Sequence, residues 1–330
     1  MNKFMVLKGV GSVAVKRTLF VLLFLILTVV SLMIGVDKNV TFSKLVKWDP
    51  AAWHTLVESR FPRTIAIILI ASGLSLAGLI MQAISRNKFM SPSTSGTIDA
   101  AMLGVLLSYI LLGNQGHQLQ MIFAFVFALC STVLFMSILN RIKLKHTFYV
   151  PLVGLMYGGV ISAVTTAIAY HFRALQTMSM IGFATFNRFT DFHLLYIVLI
   201  PLVLASVYAT SFSIAGMGED FAKGLGVKYR RVVFLGLCII AVISAATFVT
   251  VGPVVFVGLI IPNMVTAFYG DHVKKSVFDV ALLGSVFVLV CDVFSRLIIY
   301  PYEVAIGFTI GIVGGFIFLI ILIRRLKHGR

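Results

Sequence analysis

The chain has 330 residues, of which 60% are hydrophobic and 12% charged, with a mean hydropathy of +1.06; soluble domains usually carry about 25% charged residues. That composition excludes one ordinary water-soluble core and points to an integral membrane protein. The formal charge of +16 would suggest nucleic acid in a soluble chain, but these bases gather at the ends of apolar runs, as in proteins that orient themselves in a bilayer.

A span needs about 20 apolar residues, and ten runs are candidates, at 18–36, 64–83, 97–113, 119–139, 148–170, 193–212, 232–251, 254–269, 277–300 and 304–323. The first opens on Lys3, Lys8, Lys16 and Arg17, a basic lead that signal peptides share. No small-x-small cleavage pattern follows it, so a retained span is expected. The eighth is short and punctuated. Residues 252–262 read GPVVFVGLIIP, and two prolines with two glycines predict a broken helix, either beside a transport path or as a re-entrant connection. The tenth carries Gly307, Gly311 and Gly315, a double GxxxG that suits internal helix packing or a subunit interface. No soluble domain interrupts the runs, so residues 1–330 read as one all-α transmembrane domain. Cys130, Cys238 and Cys291 all lie inside the runs and offer no disulfide framework or CxxC metal site.

Ten spans put both termini on one side, and charge chooses that side. Nineteen of the 27 bases fall on the termini and on the connections that share their side. The other eight are Lys38, Lys44, Lys47, Arg60, Arg63, Arg173, Arg188 and Arg296. The asymmetry places both termini in the cytoplasm. The same side holds residues 216–231, GMGEDFAKGLGVKYRR, which are too polar to enter a bilayer and longer than a tight turn needs. On the outer side, 37–63 and 171–193 are the longest polar stretches, and the second is amphipathic enough for an interfacial helix.

The sequence lacks GxxxxGK[ST], HExxH and GxSxG, so it offers no phosphate cradle and no recognised catalytic constellation. A conduit or an anchor remains. Asp292 and Arg296 are four residues apart and face each other on one helix, with Glu303 just beyond. Asp99 and Asp279 lie near span starts, where acids cap helices.

Four stretches, taken in order, look familiar. SRFPRTIAIILIASGLSLAGLIMQAISRNKFMSPSTSG (59–96), GEDFAKGLGV (218–227), GPVVFVGLIIPNMVTAFYGDH (252–272) and DVFSRLIIYPYEVAIGFTIGIVGGFIFLIIL (292–322) resemble the signatures of the iron-siderophore and cobalamin ABC importer permeases, the FecCD-type family. There are departures. RNKFM (86–90) stands where the family has RNPLA, Asn263 follows Pro262 where the family has His, and Thr266 replaces an expected Arg. The variant MSPSTSGTIDAAMLG (90–104) is similar to a branch that works with catecholate-type siderophores and pairs with a second, different permease.

The resemblance implies a ten-span bundle of the type II ABC importer permease kind. It implies that residues 213–231 form short cytoplasmic coupling helices seated in a groove of an ATPase subunit, with Gly218, Glu219, Asp220, Ala222, Gly224 and Gly226 at the contact. The residue types suit this. Glycines permit the turns, Glu219 and Asp220 favour a helix start, Ala222 and Gly226 leave room for another surface, and Lys228, Arg230 and Arg231 hold the segment at the anionic leaflet. On the outer face, Arg60, Arg63 and Arg296 resemble sockets for acidic residues of an extracytoplasmic binding protein; interfacial snorkelling is the plainer reading of the first two. Asn87, Phe89, Thr147 and Phe148 align with the family's cytoplasmic constrictions, with ordinary packing as the rival.

The expected function is therefore the permease subunit of an importer of ferric siderophores in a bacterial cytoplasmic membrane. Its partners are ATPase subunits, a second permease, identical or homologous, and a binding lipoprotein or periplasmic protein. The chain itself is expected to hold no metal, cofactor or nucleic acid and to catalyse no reaction; ATP and magnesium belong to the partner. The same architecture serves cobalamin or heme as an alternative cargo. A secondary transporter would need poised intramembrane acids, and a non-transporting anchor would leave uptake unchanged when lost.

Overall fold

Apolar runs in lipid can satisfy their backbone only as helices, and the computed structural model, which describes residues 3–35, 42–113, 116–142, 149–186, 192–269 and 273–328, is helical in every regular element among those residues. The N-terminal helix α1 (Lys3–Met33) is followed by two short helices, α2 (Phe42–Val46) and α3 (Pro50–Thr55). Asp49 starts α3 by accepting a 3.0 Å bond from the Ala51 amide, with Pro50 at the first helical position. A π-helical turn (Leu56–Arg60) joins α3 to α4 (Phe61–Ser85). α4 stops where Arg86 turns left-handed, at φ +51, and the Asn87 amide bonds back to the Gln82 carbonyl at 3.1 Å. The remaining helices are α5 (Thr97–Leu112), α6 (His117–Arg141), α7 (Tyr149–His171), α8 (Leu175–Ile181), α9 (Leu199–Val207), α10 (Ala209–Ala215), α11 (Glu219–Gly224), α12 (Tyr229–Thr250), α13 (Val257–Tyr269), α14 (Val273–Leu297) and α15 (Ile306–His328).

By length and composition, six helices among the described residues are long and apolar enough to cross a membrane. The predicted sixth span is not one straight helix. A 3-10 stretch (Phe192–Val198) leads into α9, and α10 then turns away by 63°. Beyond the bend, Phe212 on α10 is fully buried and sits against α12 at Gly236, where no Cβ holds it off. Three further apolar helices are shorter: Arg17–Met33, Thr97–Leu112 and Val257–Ala267.

The centre of the bundle is α4, whose most apolar window is 89% buried. It packs against α12, α13 and α14. The closest approach is to α13, where a Cβ on Gly78 would lie 1.8 Å from the Gly258 carbonyl oxygen. That carbonyl is the one freed by Pro262, which sits inside α13 and has no N–H to return to position 258. The predicted break therefore covers only half of its stretch. The chain is unwound over 252–256, with Gly252 at φ +98 and Phe256 at φ +67, while Pro262 is tolerated because its orphaned partner lies against the bare Cα of Gly78. The unwound segment is covered by residues 181–186: a Cβ on Gly252 would come 2.9 Å from the Phe183 carbonyl oxygen, and the Thr185 amide donates to the Val251 carbonyl at 2.9 Å.

α1 lies parallel to α14 and is clamped to it at both ends. Arg17 grips Asp279 with two bonds, of 2.8 and 2.6 Å, and its guanidinium rests over Phe278. Arg296 reaches the carbonyls of Ser31 and Ile34 at 3.0 and 2.8 Å. Asp279 thus ties two helices together beyond the first turn of α14, whereas Asp99 does lie in the first turn of α5. Of the glycines in α15, Gly307 faces Ala184 inside the chain, and Gly311 and Gly315 meet nothing within 4 Å.

Candidate functional site

At one end of the bundle, α10, α11 and the start of α12 form a compact helical knuckle. Gly218 (φ +120) opens α11 and Gly226 (φ +75) closes it, conformations that L side chains rarely adopt. Glu219 and Asp220 occupy the first turn and Lys223 the last, matching the helix dipole. Glu219 also pairs with Lys223 at 2.9 Å, and that hydrogen bond and charge hold its carboxyl below the usual carboxylate range. The positions read as open contact points separate into two kinds. Gly224 and Gly226 have no atom within 4 Å of a built Cβ, so their sides are free. Ala222 is fully buried and faces the chain's own core, and its carbonyl accepts from the Val227 amide at 2.9 Å. Sequence reasoning missed the residues that do face outward. Met217, Phe221 and Leu225 are 62%, 54% and 57% exposed and form an apolar ridge on an otherwise polar segment. The spacing of four between Phe221 and Leu225 was the available signal; Met217 precedes the turn at Gly218 and lies outside that helical register.

Beneath the knuckle, Leu79, Gln82, Arg86, Ser213 and Met217 line part of a cavity of about 290 Å³ between the end of α4 and the end of α10. Asn87 and Phe89 lie just beyond Arg86. Asn87 is buried, and its Oδ1 accepts from the Phe89 amide at 2.9 Å. Phe89 is buried edge-on against Phe318 of α15 with ring centroids 6.2 Å apart. Asn263 fastens the same loop by donating to the Lys88 carbonyl at 2.7 Å. Thr147 and Phe148 lie outside the described residues.

At the opposite end, the three arginines converge on one buried network. Arg63 donates to Asp292 and to Glu303, at 2.8 Å each. Arg296 donates to the other oxygen of Asp292 and to Ser31 Oγ, the latter at 3.0 Å. Arg60 donates to the carbonyls of Leu32 and Met33, at 3.0 and 2.6 Å, where α1 ends. The expected Asp292–Arg296 contact is present, and Arg63 joins it from α4. Arg60 and Arg296 are only 5% and 4% exposed, whereas Arg63 and Glu303 keep 14% and 12% of their side-chain surface open. Cations at the C-terminal end of α1 also complement its dipole.

This architecture has relatives. The family model of the FecCD transport family matches residues 22–324. The chain is 46% identical over 313 residues to the petrobactin import system permease protein YclN of Bacillus subtilis (strain 168), covering 94% of this chain and 98% of the relative. It is 38% identical over 309 residues to the ferric-anguibactin transport system permease protein FatD of Vibrio anguillarum, covering 93% and 98%. Among solved structures the fold is similar to an inward-facing transporter of the metal-chelate ABC type, with a TM-score of 0.77 at 20% identity, over 92% of this chain and 97% of that one. With the match running through nearly every helix, the chain belongs to the FecCD transport family.

Proposed function

We propose that the chain is the membrane-spanning permease subunit of an ATP-driven importer of ferric siderophores in a bacterial cytoplasmic membrane. The observation that carries this is the near full-length identity to two permeases named for siderophore import. Ten spans are the finer reading. Six long apolar helices, the bent α9–α10 pair and three shorter apolar helices supply the candidates, and the base asymmetry supports a cytoplasmic location for both termini and the coupling segment.

ATPase subunits then bind from below, with the Met217–Phe221–Leu225 ridge as the apolar contact and Gly224 and Gly226 leaving their sides clear. ATP and magnesium reside on those partners. A binding protein delivers the chelate from above near Arg60, Arg63 and Arg296. Because these arginines are already paired, partner carboxylates must add to or exchange with Asp292 and Glu303. A second permease completes the path, and Asn87, Phe89, Thr147 and Phe148 form its cytoplasmic constriction.

The test is uptake of radiolabelled iron from petrobactin, anguibactin and other siderophores in cells lacking the chain. Wild type is expected to restore at least one chelate. Phe221→Asp/Leu225→Asp is expected to insert normally yet lose more than about tenfold of the uptake, because a buried partner contact is lost at about 1.4 kcal/mol per decade. Co-purification with the ATPase should fall in parallel. Equal iron uptake with and without the chain would reject the siderophore cargo, and full activity of the double variant would reject the ridge as the coupling contact.

A further inference from the structure

The central helix α4 ends on a positive charge that the described residues do not neutralise. Arg86 takes the left-handed turn after Ser85, and its guanidinium reaches across to the start of α11, where Nη1 would lie 3.2 Å from a Cβ on Gly218. Among the described residues no carboxylate pairs with it, and Glu219, in the first turn of α11, is already taken by Lys223 at 2.9 Å. Arg86 lines the cavity between the ends of α4 and α10. Lys88 brings a second positive charge to that cavity, and none of the residues lining it is acidic.

Two uncharged groups in the same cavity also have unused bonding capacity. Gln82 is only 4% exposed, and its Nε2 donates to the Leu259 carbonyl of α13 at 3.3 Å. A carbonyl can only accept, so that bond fixes which end of the amide is the oxygen. The Oε1 atom is buried and has no partner among the described residues. Buried acceptors are nearly always paired, so this one is held ready for a donor that enters from the cavity. Ser213 on α10 lines the cavity with a hydroxyl that makes no hydrogen bond among the described residues. The volume of about 290 Å³ is roughly twenty times what one water requires. Leu79 and Met217 give it an apolar side.

We propose that this cavity binds a phosphate group that carries or adjoins a hydroxyl: free hydrogen phosphate, or the headgroup of an anionic phospholipid such as phosphatidylglycerol. Arg86 presents the planar fork that suits phosphate oxygens, and Lys88 and Ser213 supply further donors. The ligand's own O–H then donates to Gln82 Oε1. A fully deprotonated oxyanion such as sulfate would satisfy the cations but set lone pair against lone pair at Oε1, so the cavity's chemistry asks for a ligand that is both anion and donor. Once bound, the ligand bridges the end of α4 to the end of α10, just before the turn at Gly218. These side chains would hold it whatever cargo the chain carries.

The test exchanges the full chain into neutral detergent and follows its thermal midpoint at pH 7 against inorganic phosphate and against sulfate, at matched ionic strength. Phosphate is expected to raise the midpoint saturably, with sulfate at least about tenfold weaker. Arg86→Asn, which tolerates the left-handed turn, should weaken phosphate by at least about tenfold. Ser213→Ala removes a hydroxyl that the fold does not use and should weaken it by about three- to tenfold. Gln82→Met should make phosphate and sulfate alike. A second arm places the chain in phosphatidylcholine nanodiscs with a minor share of phosphatidylglycerol and counts retained lipid by native mass spectrometry. Phosphatidylglycerol kept by wild type and lost from Arg86→Asn identifies the lipid as the source; a selective phosphate response without such retention identifies the free ion. Phosphate and sulfate acting alike on wild type, with phosphatidylglycerol retained equally by wild type and Arg86→Asn, overturns the proposal. So does a phosphate response that both Arg86→Asn and Ser213→Ala leave unchanged.

Discussion

Replacing Gly78 with alanine is expected to abolish the folded permease. The added Cβ would lie 1.8, 2.4 and 2.5 Å from the carbonyl oxygen, carbonyl carbon and Cα of Gly258. All three are backbone atoms, so no side chain can swing aside to relieve the clash. The helices would have to separate where α4 is most deeply buried, and separation would leave the Gly258 carbonyl, already without its helical donor because of Pro262, facing a gap. Overpacking usually costs about 1–3 kcal/mol when neighbours can shift; here they cannot, so the cost should reach or exceed that range. The measurement is the yield of monodisperse chain in mild detergent and its thermal midpoint. Gly159→Ala and Gly311→Ala, where a Cβ meets nothing within 4 Å, are the matched controls and should behave as wild type. Wild-type yield from Gly78→Ala would mean that α4 and α13 do not pack as described.

Some of this architecture was legible in the sequence because it depends on local pattern. α5, α6 and α7 begin and end within two residues of their predicted bounds, since each is an apolar run bracketed by polar or glycine residues. The acids of α11 and the glycines flanking it were readable for the same reason. The bend between α9 and α10 was not, because nothing in the run 193–212 marks it and the packing beyond it, Phe212 against Gly236, involves a different helix. Nor could the sequence tell which small residues of the polar stretch 216–231 face outward. Alanine at 222 and glycine at 226 carry the same signal, yet one is fully buried and the other open.

The arginines show the same limit most clearly. The Asp292–Arg296 pair is a local i,i+4 contact and could be anticipated. Arg63 is 229 residues from Asp292 in the chain, and Arg296 is 262 residues from the Ile34 carbonyl it bonds. Only the fold brings them together. Three positive and two negative side chains therefore share one buried volume, with the remaining charge facing the carbonyls that end α1.

That balance makes Asp292→Ala the second large effect. Asp292 is fully buried and accepts from both Arg63 and Arg296. Its loss would take one of the two described carboxylates from Arg63 and the described carboxylate from Arg296, and stranding a buried charge costs about 3–5 kcal/mol. The clamp between α1 and α14 should loosen at that end while Arg17–Asp279 still holds the other. Thermal unfolding in detergent should show a large drop for Asp292→Ala and a smaller one for Asp292→Ala/Arg296→Met, because removing both partners leaves no stranded charge on α14. A single variant as stable as wild type would show that the network contributes nothing to the fold. The double variant also separates two roles for Arg296. If the arginine serves only to tie α14 to α1, a folded double variant should still capture the binding protein with wild-type affinity. If it also exchanges Asp292 for a partner carboxylate, the double variant should fold and yet dock at least about tenfold more weakly, as expected when one member of a buried charge pair is removed from an interface.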